Sequence, residues 1–271
     1  MIYFLIIPAA VIFLLLAWLI LEQGFLIPPK KGLPVLMYHK VSPDRQDSLT
    51  ITSQELEKHF EYLQRKGYHT LHFKDLEILL RQGDKLPAKS VILSFDDAYE
   101  NFYTLVIPLL EKYKHKATSF IPVAYIGKTN IWDKGSEPVM TADELKEISR
   151  NPQVEIGLHS FLHRSYKDLA LEDMQEDLRN CFETLNFHHI PFSRVLAYPY
   201  GGYPKKDKKL LQDMKQLFKQ EGLSFALRIG NRINSWPLKD PYEMKRIDIR
   251  GTDNFYTFRT KFRKGRKKLF A

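Results

Sequence analysis

Cysteine is almost absent from this 271-residue chain: Cys181 stands alone. No internal disulfide can form, so a packed core must carry the fold. Cys181 lies within a helical pattern and reads as a small buried apolar residue. One cysteine suits either side of a membrane, so the compartment stays open. The glycine-rich signatures that cradle phosphates are also missing, which counts against a nucleotide-binding doubly wound sheet. The nearest lookalike, Gly201-Gly202-Tyr203-Pro204-Lys205-Lys206, has the wrong spacing and reads as a turn. No internal repeat or low-complexity tract occurs, so a repeat solenoid is excluded.

Charge is missing from the first 21 residues, Met1 to Leu21, which are nearly all apolar. A helix of that length is about 30 Å long, enough to cross a bilayer core. A cleaved signal peptide fits less well: no Lys or Arg precedes the run, and no small-x-small site follows it. The expectation is an uncleaved transmembrane anchor over 1–22. Residues 23–33, with Pro28, Pro29 and nearby Pro34, read as a short stiff linker. Residues 34–252 suit one large domain, a common size for an α/β barrel. Residues 253–271 read as a basic C-terminal tail. Six Lys or Arg between Lys261 and Lys268 supply six of the nine net positive charges. Such a tail suits contact with anionic headgroups or an anionic polymer, or else plain solvation. It carries no nucleic-acid-binding signature.

Strand-like and helix-like patterns alternate through the domain. Strands are expected over 34–38, 91–95, 118–121, 154–158, 195–198, 223–227 and 244–249. Helices are expected from Thr52, where Thr52 and Glu55 form a capping box, and over 73–81. Others are expected over 99–114 with a kink at Pro108, from Thr141 (capped with Glu144) to about 150, and over 171–185 and 205–220. This alternation implies a parallel sheet covered by helices. Several polar groups, His39, Asp96, Asp97, His159 and Tyr200, fall just after strand ends. In a barrel those ends share one face, where active sites are built, so an incomplete or distorted (β/α) barrel is favoured.

Two strand ends carry the chemistry. Val91-Ile92-Leu93-Ser94-Phe95 runs into Asp96 and Asp97, and Val154-Glu155-Ile156-Gly157-Leu158 runs into His159, with His163 four residues on. Unpaired charge is costly to bury, and a divalent metal is a partner that all these groups can share. One carboxylate and two imidazoles form a three-ligand set with an open position, the catalytic form of a zinc-type site. Without thiols, Zn²⁺ fits, and so do Co²⁺, Ni²⁺, Mn²⁺ and Fe²⁺. A bound water with its pKa lowered to about 7 would be a hydroxide source. The second carboxylate could take its proton, a role worth about 10²–10⁴ in rate. The reaction class is metal-assisted hydrolysis of an acyl bond. His39 ends its own strand and is the best free imidazole for a proton donor. His59, His69, His72, His115, His188 and His189 lie in helix or loop patterns and are read as structural.

Three motifs carry a family resemblance. Ser94-Phe95-Asp96-Asp97-Ala98 resembles the Thr-Phe-Asp-Asp-Gly motif of the polysaccharide deacetylases, carbohydrate esterase family 4. His159-Ser160-Phe161-Leu162-His163 matches that family's His-Ser/Thr-x-x-His motif. Ala197-Tyr198-Pro199-Tyr200-Gly201 resembles its third motif, a Pro-Tyr loop lining the substrate groove. The resemblance covers roughly Leu33 to Ile249. It implies a distorted (β/α)₇ barrel, Asp96 as general base and Asp97, His159 and His163 as metal ligands. Pro199 and Tyr200 would belong to the substrate loop, with the Tyr200 backbone N–H serving the oxyanion. The implied reaction removes an N-acetyl group, or in some members an O-acetyl group, from a sugar.

The departures place the chain within that family. Ala98 replaces Gly, a mild change if its φ is negative. The usual Leu-x-His is missing at Arg246-Ile247-Asp248-Ile249. Val35-Leu36-Met37-Tyr38-His39-Lys40-Val41 instead resembles the N-terminal segment of the poly-N-acetylglucosamine deacetylases, which implies His39 as general acid. Ala197 stands where an Arg usually orients the base, leaving Arg194 or Arg246 as substitutes. Lys30 and Lys31 after the anchor would favour a cytoplasmic domain, whereas the family's exported glycans favour the outer face, which is the expectation adopted. Peptidoglycan, an O-acetylated sugar and a lipid-linked aminosugar are alternative substrates. The alternative from another class is a non-catalytic glycan- or membrane-binding protein with a vestigial site.

Overall fold

The computed structural model describes residues 11, 28–133 and 135–266. Strands β1 (Val35–Tyr38), β2 (Lys40–Ser42) and β3 (Thr50–Thr52) lead into helix α1 (Ser53–Arg65). Then come β4 (His69–Thr70), α2 (Phe73–Gln82), β5 (Ser90–Phe95), α3 (Ile107–Tyr113) and β6 (Ala117–Ile121). They are followed by α4 (Ala142–Ile148), β7 (Val154–Leu158), α5 (Leu171–Phe187), β8 (Val195–Ala197) and α6 (Lys208–Gln220). The described chain ends with β9 (Phe225–Ile229), β10 (Met244–Asp248) and α7 (Phe255–Lys264). Seven strands pair in parallel in the order β1-β5-β6-β7-β8-β9-β10, and β10 pairs back with β1. The sheet therefore closes into the expected seven-stranded barrel. Its weakest seam is β7–β8, joined through the single register pair Leu158↔Leu196. Short β4 extends the sheet beside the start of β5, and β2 and β3 pair with each other.

The strand pleat explains the two-layered core. Along β5, Val91, Leu93 and Phe95 pack outward into the helical layer, while Ile92 packs with Val35, Phe120, Val195, Phe225, Leu227 and Met244. Successive side chains point to opposite faces of a strand, so buried strands read as continuous apolar runs.

Both expected helix starts are capped, but only one box is complete: Thr52 accepts from the Glu55 N–H while the Glu55 carboxylate turns to Lys58, and Thr141 forms a full capping box with Glu144. The kink expected at Pro108 takes another form. A π-helical turn, Phe102–Val106, precedes α3, and Ile107 N bonds to the Phe102 carbonyl. Proline has no N–H to give, so the ladder changes register just ahead of it.

The start of the segment read as a basic tail is instead the helix α7. Phe258 and Phe262 are buried in the outer core, and the Phe258 ring stacks on His59 at 3.6 Å. Apolar residues four apart gave the segment a face to bury, which its charge count concealed. The linker also docks at its end: Leu33 is fully buried and exchanges backbone hydrogen bonds with Asn234. The expected anchor, 1–22, lies outside the described residues apart from residue 11. Among the described residues no helix is long and apolar enough to cross a membrane.

Candidate active site

Strand ends gather the expected residues at one mouth of the barrel. Asp96 N donates to the Tyr38 carbonyl at 2.9 Å, and His159 N to the Ile121 carbonyl at 2.8 Å. His39 follows β1, Asp96 and Asp97 follow β5, His159 follows β7, and Tyr200 follows β8. His39, Asp96, Asp97, His159, His163 and Tyr200 all line one cavity of about 350 Å³. Pro199 is buried and starts the turn that carries Tyr200 instead of lining the cavity.

Asp97, His159 and His163 each aim one ligand atom at a common point, with those atoms within 4.8 Å of one another. His159 Nδ1 lies 2.7 Å from the Ala197 carbonyl. A carbonyl only accepts, so Nδ1 carries the proton and Nε2 presents its lone pair inward. His163 is held by Tyr200, whose hydroxyl lies 3.1 Å from Nδ1, leaving Nε2 3.1 Å from Asp97 Oδ1. Such outer hydrogen bonds orient metal-binding imidazoles. Asp97 Oδ1 is fully buried yet accepts no well-formed hydrogen bond. A buried carboxylate oxygen without a well-formed hydrogen bond, beside the inward His159 lone pair and the Nε2 atom of His163, fits a divalent cation. Burial is the largest influence on both partners, and it lowers His159 to about 4, keeping it neutral at pH 7. At Asp97 burial pushes upward, but His163 and His159 outweigh it and hold the carboxyl well below its usual range.

Asp96 is built differently. Arg246 from β10 grips it with both terminal nitrogens, at 2.5 Å to Oδ1 and 2.7 Å to Oδ2. Of the two candidates from sequence, the structure selects Arg246. Arg194 lies over the Phe182 ring and bonds to the Glu221 carbonyl. Burial would raise the Asp96 pKa, but the Arg246 guanidinium, followed by His159 and His39, brings it below the usual value. His39 Nε2 sits 3.8 Å from Asp96 Oδ2, beside it at the cavity wall.

Five non-glycine residues here have left-handed backbone: Asp97 (φ 73), Ala98 (φ 50), Ser160 (φ 66), His163 (φ 54) and Tyr200 (φ 57). Each costs about 1–3 kcal/mol, and such strain persists only where surroundings enforce it. The condition for a mild replacement at Ala98 is therefore not met, because its φ is positive. Part of the enforcement comes from Asp177 on α5. It accepts from the Ser160 hydroxyl, the Phe161 N–H and the Tyr166 hydroxyl, fastening the loop that carries His163.

The sequence signal for Asp177 is an acid on the buried stripe of α5, between Met174 and Leu178. Trp132 stacks on His163 with ring centres 4.8 Å apart, and nothing in the local sequence pattern singles it out. Buried His59, His72 and His115 are structural, as expected, but each has a polar partner: Tyr38, the Gln153 carbonyl and the Phe60 carbonyl, respectively.

A family model described as polysaccharide deacetylase matches residues 83–218, half of the chain. The chain belongs to the polysaccharide deacetylase family. It is 30% identical over 193 residues to YxkH of Bacillus subtilis (strain 168), a polysaccharide deacetylase by name; the match covers 71% of this chain and 63% of that protein's length. It is 26% identical to the poly-beta-1,6-N-acetyl-D-glucosamine N-deacetylase of Staphylococcus epidermidis, over 77% of this chain and 70% of that one. Among solved structures, the Streptococcus pyogenes deacetylase PplD in complex with acetate superposes with a TM-score of 0.71 at 19% identity, covering 86% of this chain and 99% of the other. At that identity the likeness shows the shared fold.

Proposed function

We propose that this protein is a metal-dependent deacetylase that removes N-acetyl groups from an N-acetylglucosamine-containing polysaccharide. One observation carries the reading: a three-ligand Asp-His-His cluster shares a cavity with a second carboxylate and an unshared imidazole. A divalent cation held by Asp97, His159 and His163, with Zn²⁺ the first candidate for this donor set, would act as a Lewis acid toward the acetyl carbonyl and acidify a water. Asp96, ionised at neutral pH and fixed by Arg246, takes the proton from the attacking water. His39, on the same wall, delivers a proton to the leaving sugar amine. The Tyr200 backbone N–H serves the oxyanion. The orphaned Asp97 oxygen and the enforced strain argue against a vestigial site, which would have no reason to keep either.

The name of the Staphylococcus epidermidis relative and the placement of His39 support a poly-N-acetylglucosamine substrate over peptidoglycan, O-acetylated sugars or lipid-linked aminosugars. Acetate release from N-acetylglucosamine oligomers, β-1,6-linked beside β-1,4-linked, tests this. Release confined to the β-1,6 series supports the substrate, and no release from any oligomer by metal-loaded protein overturns the reading. We further propose that residues 1–22 anchor the protein in a membrane with the domain on the outer face. Protease treatment of intact cells checks the side, because survival of the domain until lysis would place it inside.

A further inference from the structure

The opposite end of the barrel carries a second, larger cavity, of about 740 Å³. It is lined by Pro34 and Ser90, at the starts of β1 and β5, so it lies at the base, away from the catalytic mouth. A six-residue strand such as β5 spans about 20 Å, and that length separates the two ends. Five cationic side chains line this base cavity, Lys30, Lys31, Lys85, Lys89 and Arg263, and no acidic residue lines it. All five are exposed. Half-buried Trp236 joins them, its indole N–H bonded to the Asp84 carbonyl. Tyr68 packs against Phe262 beneath, with ring centres 4.7 Å apart.

The chain's own path supplies an independent observation. Lys30 N bonds to the Arg263 carbonyl at 3.1 Å, so the polypeptide enters the domain across this face. Seven residues separate Leu21, the last of the apolar run, from Pro29 at the cavity edge. Fully extended, they reach about 25 Å at roughly 3.3–3.6 Å each. If the apolar run is embedded in a bilayer, the basic face is the part of the domain held nearest to it.

We propose that this base cavity docks on the anionic phospholipid headgroups of the membrane that holds residues 1–22, so that the catalytic mouth faces away from the bilayer. The inference rests on the anchor and is independent of deacetylation. Lysine side chains meet the charged headgroups, and Trp236 takes the amphipathic position that indoles favour at membrane interfaces.

The test uses the full chain in lipid nanodiscs and reads the rate of amine labelling at individual lysines by mass spectrometry. In discs containing an anionic phospholipid, Lys31, Lys85 and Lys89 should label about fivefold more slowly than in zwitterionic discs, the factor equivalent to about 1 kcal/mol per basic side chain at an anionic surface. Lys167 and Lys205, exposed on mouth-side loops, should label equally in both. A Lys85→Gln/Lys89→Gln/Arg263→Gln variant should lose the lipid dependence at Lys31. Equal rates in the two disc types would overturn the proposal, as would failure of the protein to enter discs. Equal protection in zwitterionic discs by inorganic phosphate would also overturn it and point to a free-anion site. Acetate release, measured on the same sample, reports the deacetylase reading separately.

Discussion

The barrel buries a carboxylate at each end, and the two are treated in opposite ways. At the base, Glu155 accepts from the N–H groups of Phe73 and Lys74 at the start of α2, and from the hydroxyls of Thr118 and Ser193. Every oxygen is satisfied, and the positive end of a helix offsets the charge. At the mouth, Asp97 keeps one buried oxygen without a well-formed hydrogen bond and sits on left-handed backbone. A satisfied buried acid holds a fold together, whereas an orphaned one marks a place kept for something else. Asp96 stands between the two cases, since it is fully gripped by Arg246 yet open to the cavity.

Substitutions can break or sharpen this contrast. Asp97→Ala has the largest expected effect: loss of bound metal and of acetate release to background, matched by chelation of the native protein. Elemental analysis and an acetate assay check it, and thermal unfolding of the metal-free protein should not fall. Next come Asp96→Asn and His39→Gln, each expected to lower kcat by about 10²–10⁴ with metal content unchanged.

Arg246→Gln leaves Asp96 buried and unpaired, at a cost of about 3–5 kcal/mol in denaturant unfolding. Its pH profile should move as well. As the proposed base, Asp96 would act only when ionised; Arg246 lowers its pKa, and removal should therefore shift the acidic limb of activity to higher pH. Glu155→Gln should cost about 1–3 kcal/mol in stability through the α2 N-terminus, and kcat should stay unchanged because that end of the barrel lies away from the catalytic mouth. A large loss of activity in a folded Glu155→Gln protein would break the contrast between the ends. Ala98→Gly has the smallest expected effect, a gain of about 1 kcal/mol from relief of positive φ, measured as a rise in Tm.

Much of the site was legible because buried strands end abruptly in ionisable groups. Asp96, Asp97 and His159 stand out where Phe95 and Leu158 stop, and His163 follows at a ligand-like spacing. The seven barrel strands were legible through their apolar runs. The two- and three-residue strands β2, β3 and β4 were not, since so short a run leaves no periodic signal. α7 is masked in the sequence by its own charge, because Lys261, Arg263 and Lys264 interleave with Phe258 and Phe262.

The sequence by itself determined the barrel class, the Asp-His-His set as candidate metal ligands and the two helix N-caps, because each depends on local order along the chain. Only the tertiary structure decided that Arg246, and not Arg194, grips Asp96 across 150 positions of sequence. It alone showed that Ala98 sits at positive φ, and that Tyr200 steadies His163 through its side chain. It also set the five cations of the base beside the entering chain. Those facts arise from closure of the sheet, which brings strand ends far apart in sequence within hydrogen-bond reach, and no local pattern encodes that contact.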